Sequence, residues 1–180
     1  MKKLLLLSAA VLLFGVFSLD AQTQDPFVSV WNTLQPTTRT GGSSRNIAIH
    51  AIGTGYTIEW VELDPDDGSE TTVHGSVTDA TSTLGHPYIL TVDDPGRFRI
   101  KIKSGTGTLE GFYMTDHAFT YDHDRLESIE HWGNNKWTRL GHAFYKAGKL
   151  DLTATDAPDL SIADSISYMF ADCVSLVNVN

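Results

Sequence analysis

Residues 168–176, YMFADCVSL, align without a gap on residues 142–150, HAFYKAGKL, and this pairing decides how the chain is read. Phe144 matches Phe170, Ala147 matches Cys173, Leu150 matches Leu176 and Leu140 matches Ile166, every pair at the same separation, i to i+26. Leu126 precedes Leu150 by two positions less than that, so RLESIEHWGNNKW (125–137) reads as the tail of a degenerate preceding unit. A period of 26 falls inside the ~20–29 residues of leucine-rich repeats. The spacing predicts a short helical turn in each unit, with Phe, a small residue and Leu pointing inward at intervals of three, and Met169 beside them in the second unit. DLTATD (151–156) and VNVN (177–180) then supply the short strands. A unit of this size cannot bury its apolar face alone and needs a neighbour on both sides. The stretch 165–180, SISYMFADCVSLVNVN, is apolar and has no charged tail. The expectation is therefore a truncated array whose next neighbour is missing, with an exposed far side and order that frays after about Ser165.

Upstream the pattern is that of strands. NIAIHAI (46–52) alternates Ile47, Ile49 and Ala51 on one side. YTIEWVEL (56–63) puts Tyr56, Ile58 and Trp60 on one face. FRIKIK (98–103) points Phe98, Ile100 and Ile102 inward and Arg99, Lys101 and Lys103 outward, because successive strand side chains alternate faces. The clusters RTGGSSRN (39–46), GTG (53–55), DPDDGSE (64–70), DDPGR (93–97) and GTGT (105–108) carry the residues that tolerate tight turns and are read as loops. Short strands at this spacing, with no amphipathic helix between them, predict a β-sandwich. After Gly111, FYMTDHAFTYDHDRL (112–126) is aromatic and mixed and reads as a connector or cap.

The first residues stand apart. Lys2 and Lys3 precede an uncharged apolar run, LLLLSAAVLLFGVF (4–17), and SLDAQ places Ala21 before Gln22. This is the pattern of a secretory signal peptide cleaved after Ala21, and the apolar run falls short of the ~20 residues a membrane-spanning helix needs. Cleavage removes two basic residues and one acidic one, leaving 11 basic and 21 acidic residues and a net charge of −10. An acidic chain is a poor partner for nucleic acid. Cys173 is the only cysteine, so no internal disulfide can form and the exported chain folds on its core alone. No second long apolar segment follows the signal.

The stretch 126–180, with Met169, Phe170, Cys173 and Leu176 in one unit and Ala143, Phe144, Ala147 and Leu150 in a divergent one, resembles the BspA-like leucine-rich repeat surface proteins, whose repeats carry Met-Phe-x-x-Cys-x-x-Leu. Trp132-Gly133 and Trp137 look like that family's entry into the array. The preceding region is similar to a PKD-type sandwich: YTIEWVELDPDDGSE (56–70) resembles its Tyr-x-Val-x-Trp-Gly-Asp-Gly strand and turn, with Val61 to Asp66 intervening. His86, Tyr88, Pro95, Gly96, Phe98 and Ile100 resemble its His-x-Tyr-x-x-Pro-Gly-x-Tyr-x-Val pair of strands, with added residues before the proline. The organisation implied is a signal peptide (1–21), a PKD-like sandwich (25–104), a connector (105–125) and the start of a leucine-rich repeat solenoid (126–180). The resemblance also implies an exported bacterial surface protein that acts by adhesion or interaction and has no catalytic residues.

The residues themselves offer little chemistry. The turn with Asp64, Asp66, Asp67 and Glu70 could offer oxygens to Ca²⁺, but Gly68 stands one place early for the helix-loop-helix calcium motif, and a hairpin turn accounts for the composition. Asp116, His117, Asp122, His123 and Asp124 could be proposed for zinc; two histidines six apart do not share a helical face, and solvated connector residues are the simpler account. Gly-x-Ser-x-Gly, Gly-x-x-x-x-Gly-Lys and His-Glu-x-x-His strings are absent from the sequence, and neither cofactor nor metal is expected. Cys173 reads as a small core residue. Trp132 and Trp137, flanking GNNK, either cap the core of the array or offer a sugar-stacking surface. The expected function is thus a non-enzymatic interaction module binding a protein or cell-surface ligand. The alternatives are a carbohydrate-binding accessory module and an accessory region of a larger secreted enzyme.

Overall fold

The structure, a computed structural model, describes residues 24–37, 41–114 and 122–176; the signal peptide, Asp116, His117 and the VNVN strand lie outside the described residues. The fold is mainly β. Eight strands occur among these residues: β1 (Phe27–Asn32), β2 (Asn46–Ile49), β3 (Ala51–Leu63), β4 (Glu70–Ser82), β5 (Tyr88–Thr91), β6 (Arg97–Phe112), β7 (Leu126–His131) and β8 (Asp151–Leu152), with a single 3₁₀ turn at His123–Arg125. Six of them form one sheet in the order β4-β3-β6-β1-β7-β8, and β2 and β5 pair as a second. All neighbours are antiparallel except β7 and β8, which run parallel.

Period-two patterning explains the sheet. Phe98, Ile100 and Ile102 of β6 are buried with Tyr56 and Ile58 of β3, and Ile47, Ile49 and Leu90 of the small sheet join the same cluster, consistent with a β-sandwich. Arg99, Lys101 and Lys103 alternate to the other face, where flanking strands supply carboxylates. Arg97 pairs with Glu127 at 2.8 Å, Arg99 with Glu130 at 2.6 Å and Glu70 at 3.0 Å, and Lys103 with Glu59 at 2.8 Å. Cross-strand pairs of opposite charge are the stabilising combination on a solvated face, although each contributes only ~0–1 kcal/mol.

Three expectations need correction. The two GTG stretches are not loops between strands: Gly53–Gly55 lies inside β3 and Gly105–Gly107 inside β6, and the two face each other across a pair of register shifts. A Cβ on Gly53 would overlap the Thr108 carbonyl, and one on Gly107 the Thr54 carbonyl, so glycine lets the two backbones approach at a bulge. The connector expected at 105–125 is strand as far as Phe112. Its continuation pairs on both sides, Tyr113 N–H donating to His50 O at 3.0 Å and Met114 N–H to His142 O at 2.9 Å. Nor are Asp122 and His123 solvated. Both are buried with Arg125; Asp122 accepts the Ala48 N–H at 2.8 Å, and Arg125 donates to the carbonyls of Gln35, Ser43 and Asn46 at 3.1, 3.0 and 2.6 Å.

The region after β7 forms two coils whose backbones repeat at the same i to i+26 offset as the sequence. In the first, Ala143, Tyr145, Ala147 and Leu150 donate their N–H to Leu140, His142, Phe144 and Ala147; in the second, Met169, Ala171, Cys173 and Leu176 donate to Ile166, Tyr168, Phe170 and Cys173. The left-handed residues repeat too, His142 and Lys146 at φ 57° and 60°, Tyr168 and Asp172 at 57° and 61°. The expected helical turn is thus a chain of i→i+3 turns broken by left-handed residues. Hydrogen bonds three apart share the spacing of a helical face, so the inward pattern survives while the helix does not. The first strand expected, in DLTATD, is the two-residue β8.

Phe27 of β1, Phe112 of β6, Trp137, Phe144 and Trp132 join sheet and coils in one core cluster, with Phe170 packed against it. Replacing Phe144 by Ala should cost about 3–5 kcal/mol. Because sheet and coils share that core, tryptophan fluorescence and far-UV circular dichroism should report one coincident urea transition in both proteins. Two separated transitions in the wild type would show that sheet and coils fold apart.

Candidate functional site

The expected repeat core assembles in the first coil and only partly in the second. Leu140, Phe144, Ala147 and Leu150 are buried, as are Met169 and Cys173; Phe170 and Leu176 are half-buried against them. Ile166 departs from expectation. Its counterpart Leu140 is 0% exposed, but Ile166 is 51% exposed and borders an open cleft with Trp132 and Phe170. The Cys173 thiol donates to Phe144 O at 3.0 Å, and burial pushes its pKa up to about 11. A thiol held protonated inside a core is a poor nucleophile.

Trp132 and Trp137 are not a surface pair. They are 5% and 0% exposed, and their faces and edges are taken by Phe27, Phe112, Phe144 and Phe170 at centroid distances of 5.6–6.5 Å. A sugar ring has no open face on which to stack there. The Trp137 indole N–H is buried and meets no acceptor among the described residues.

What holds Trp132 in place went unnoticed in the sequence. The Asp156 carboxylate accepts the N–H of Trp132 at 2.9 Å and of Gly133 at 2.9 Å, and lies 3.0 Å from His131 Nδ1. The other ring nitrogen of His131 reaches Asp25 at 2.6 Å. One histidine thus ties the lead-in to β1 and the loop after β8 to the end of β7. Its only sequence signal is the adjacency of His131 to the Trp-Gly turn.

The acidic turn 64–70 is built on its own side chains. Asp64 accepts the Asp66 N–H and Asp67 the Ser69 N–H, both at 2.8 Å, and the Asp67 carboxyl is held below its ordinary pKa by the hydrogen bonds from Ser69. Among the described residues no group of three or more His, Cys, Asp or Glu side chains is arranged to hold a metal ion. No described helix is long and apolar enough to cross a membrane.

Two surface features remain. A row of rings runs across the outside of the coils: Tyr113 against His142 at 5.9 Å, His142 against Tyr145 at 5.7 Å, and His142 stacked on Tyr168 at 5.0 Å and 21°. Lys146 Nζ stands 5.2 Å from the Tyr145 centroid. The second feature is an apolar end. A cleft of about 810 Å³ is bounded by Trp132, Leu152, Leu160, Ile166 and Phe170, and Ile162, Tyr168 and Val174 are exposed on the same coil.

No family model matches the chain, and no curated protein or solved structure gives a significant match.

The histidine tie has a pH signature. His131 is held above its ordinary pKa of 6.5, first by the hydrogen bond to Asp25, with burial opposing and the Asp156 charge adding. A raised folded-state pKa contributes stability that is complete below the unfolded value and disappears as pH rises through the folded one. His131→Gln should therefore be less stable than wild type below about pH 6.5, with the gap narrowing above it. A gap independent of pH between 5 and 9 in paired urea titrations would show that the imidazolium contributes nothing.

Proposed function

We propose that this chain is an exported, non-catalytic surface protein that acts by adhesion or protein–protein interaction. On this reading a PKD-like sandwich carries the opening coils of a BspA-like leucine-rich repeat solenoid, and the coils present the binding face. The observation that carries the reading is the row Tyr113, His142, Tyr145 and Tyr168 on the outside of the coils. Tyrosine is enriched at interaction surfaces because a large, stiff ring with a polar tip gives contact area at small entropic cost. His142 and Tyr168 occupy equivalent positions of successive units, so the row extends with coil number, as suits an extended macromolecular partner.

The test keeps the fold intact. Deleting 126–180 would strip β7 and β8 from the main sheet along with Leu126, Ile129 and Trp132, so loss of binding would report unfolding. Replacing the side chains of Tyr113 and Tyr145 by Ser leaves the backbone bonds in place. Purified protein on beads is offered extracellular-matrix proteins and whole cells. Wild type should be retained, and the double variant should lose about tenfold or more in affinity, as loss of central aromatic contacts does, while melting as a folded protein. Absence of wild-type retention, or equal retention of both, would sink the reading.

A further inference from the structure

We propose that the free edge of β5 is a strand-addition site for one kind of occupant, an extended peptide segment of another protein with alternating apolar side chains and a basic residue at its leading end. The site lies on the sandwich and stands apart from the ring row of the coils. It follows from the main-chain groups that β5 leaves open. The Ala48 N–H is taken by Asp122 and the Asn46 carbonyl by Arg125, so these two residues of β2 turn away from β5. The bonds between β2 and β5 therefore run through Ile47 and Ile49 to Leu90 and Tyr88, because antiparallel pairs alternate between bonded and unbonded. Ile89 and Thr91 then point their N–H and C=O groups away from β2. Those groups meet no partner among the described residues.

The other strand edges carry protection. Asp122 and Arg125 seal β2, and β8 stops after two residues. β4 is long, but Thr71 Oγ1 accepts the Val73 N–H at 3.1 Å, His74 Nδ1 lies 2.9 Å from the Thr72 carbonyl, and Asp79 breaks the line at φ 57°. Caps and bulges of this kind keep an edge from pairing. β5, with the sequence Tyr-Ile-Leu-Thr, has no lysine, no proline and no bulge. An open edge of this composition is what an extended peptide extends in strand-addition recognition, where main-chain bonds give affinity and alternate side chains give specificity.

The core face on that side lacks its cover. Two strands stand against six. Asp122 and Arg125, beside β2, lead into β7 at one flank of the main sheet, while β5 approaches β4 at the other. On β4, Ala80 and Ser82 are buried, but toward the β3–β4 hairpin Val77 and Gly75 are only half-buried and Val73 is 44% exposed. Trp60 of β3 pairs with Ile100, a core residue, yet is itself half-buried. A Cβ on Gly75 would fall 2.5 Å from the Trp60 indole, so glycine lets that ring lie over β4. A strand added to β5 brings every second side chain toward Trp60 and Val77. Charge selects the occupant. Asp93, just after β5, is exposed and meets no cation among the described residues, whereas Asp94 pairs with Arg45 at 3.3 Å. In antiparallel pairing the residue opposite Asp93 stands at the start of the added strand, where a basic side chain is favoured. A second copy would instead bring an acidic chain to an acidic rim.

The test adds the synthetic peptide Lys-Lys-Thr-Val-Thr-Val-Thr-Val, or a version beginning Glu-Glu, to the full chain. Amide exchange by NMR and tryptophan emission are followed. The Ile89 and Thr91 amides should exchange fast in the free protein and slow by at least about fivefold with about 1 mM basic peptide. Tryptophan emission should shift to the blue, and the shift should vanish in Trp60→Phe. Thr91→Pro removes an N–H that no strand of the fold uses, so the sandwich stays folded; it should weaken binding about tenfold or more. Asp93→Lys should weaken the basic peptide and strengthen the acidic one, an effect that falls with added salt. Four results would overturn the proposal: both amides staying fast at that concentration, equal binding by folded Thr91→Pro, equal affinity for the two peptides, or protection in peptide-free protein that grows with concentration, which would mean that copies pair through β5. The double variant of Tyr113 and Tyr145 should bind the peptide as wild type does, so failure of the adhesion reading leaves this outcome untouched.

Discussion

The structure depends on a column of three phenylalanines. Phe27 from the middle of the sheet, Phe144 from the first coil and Phe170 from the second lie nearly parallel, at 15° and 16°, with centroids 6.3 and 5.4 Å apart. Each ring belongs to a different layer, so the column fixes how far the coils stand from the sheet and from each other. Phe112, Trp132 and Trp137 pack edge-on or tilted around it, the arrangement that aromatic quadrupoles favour, with each good pair contributing ~0.5–1.5 kcal/mol beyond area burial. With a single cysteine in the chain no internal disulfide shares that role, and the column acts through packing alone.

Around that column the polar groups are placed so that the backbone is satisfied where sheet becomes coil. Phe112 N–H reaches the Arg139 carbonyl at 3.0 Å, and Gly111 beside it has no Cβ that would overlap that carbonyl. The buried Arg125 takes three carbonyls, from Gln35, Ser43 and Asn46, and Asp122 takes an amide from β2 itself. Such a pair does not stabilise through its mutual attraction, since desolvation offsets most of that. It stabilises by giving irregular backbone the partners that buried peptide groups require.

Part of this was legible in the sequence, for reasons that particular residues make clear. The alternation in FRIKIK shows because one face of β6 is core and the other is solvated. The repeat offset shows because Phe144, Ala147 and Leu150 fill the same space as Phe170, Cys173 and Leu176. β4 escaped notice: its run of Thr, Ser, Gly and His presents little apolar alternation, and its pattern is mostly exposed. The GTG stretches look like loops because glycine marks tight turns and close backbone contacts alike. Trp132 and Trp137 carry no local sign of burial, since the residues that cover them, Phe27 and Phe112 among them, are distant in sequence.

The coil conformation was hidden for a deeper reason. His142, Lys146, Tyr168 and Asp172 adopt positive φ without being glycine, a state that costs an ordinary residue roughly 1–2 kcal/mol. In the first coil the N–H groups of His142 and Lys146 donate to the Ser167 and Ala171 carbonyls of the second, both at 2.9 Å, which offsets part of that cost there. The second coil holds the same turns at Tyr168 and Asp172, closed by the same bonds three residues apart, so what the two coils share is the bonding pattern and not a residue type that marks positive φ.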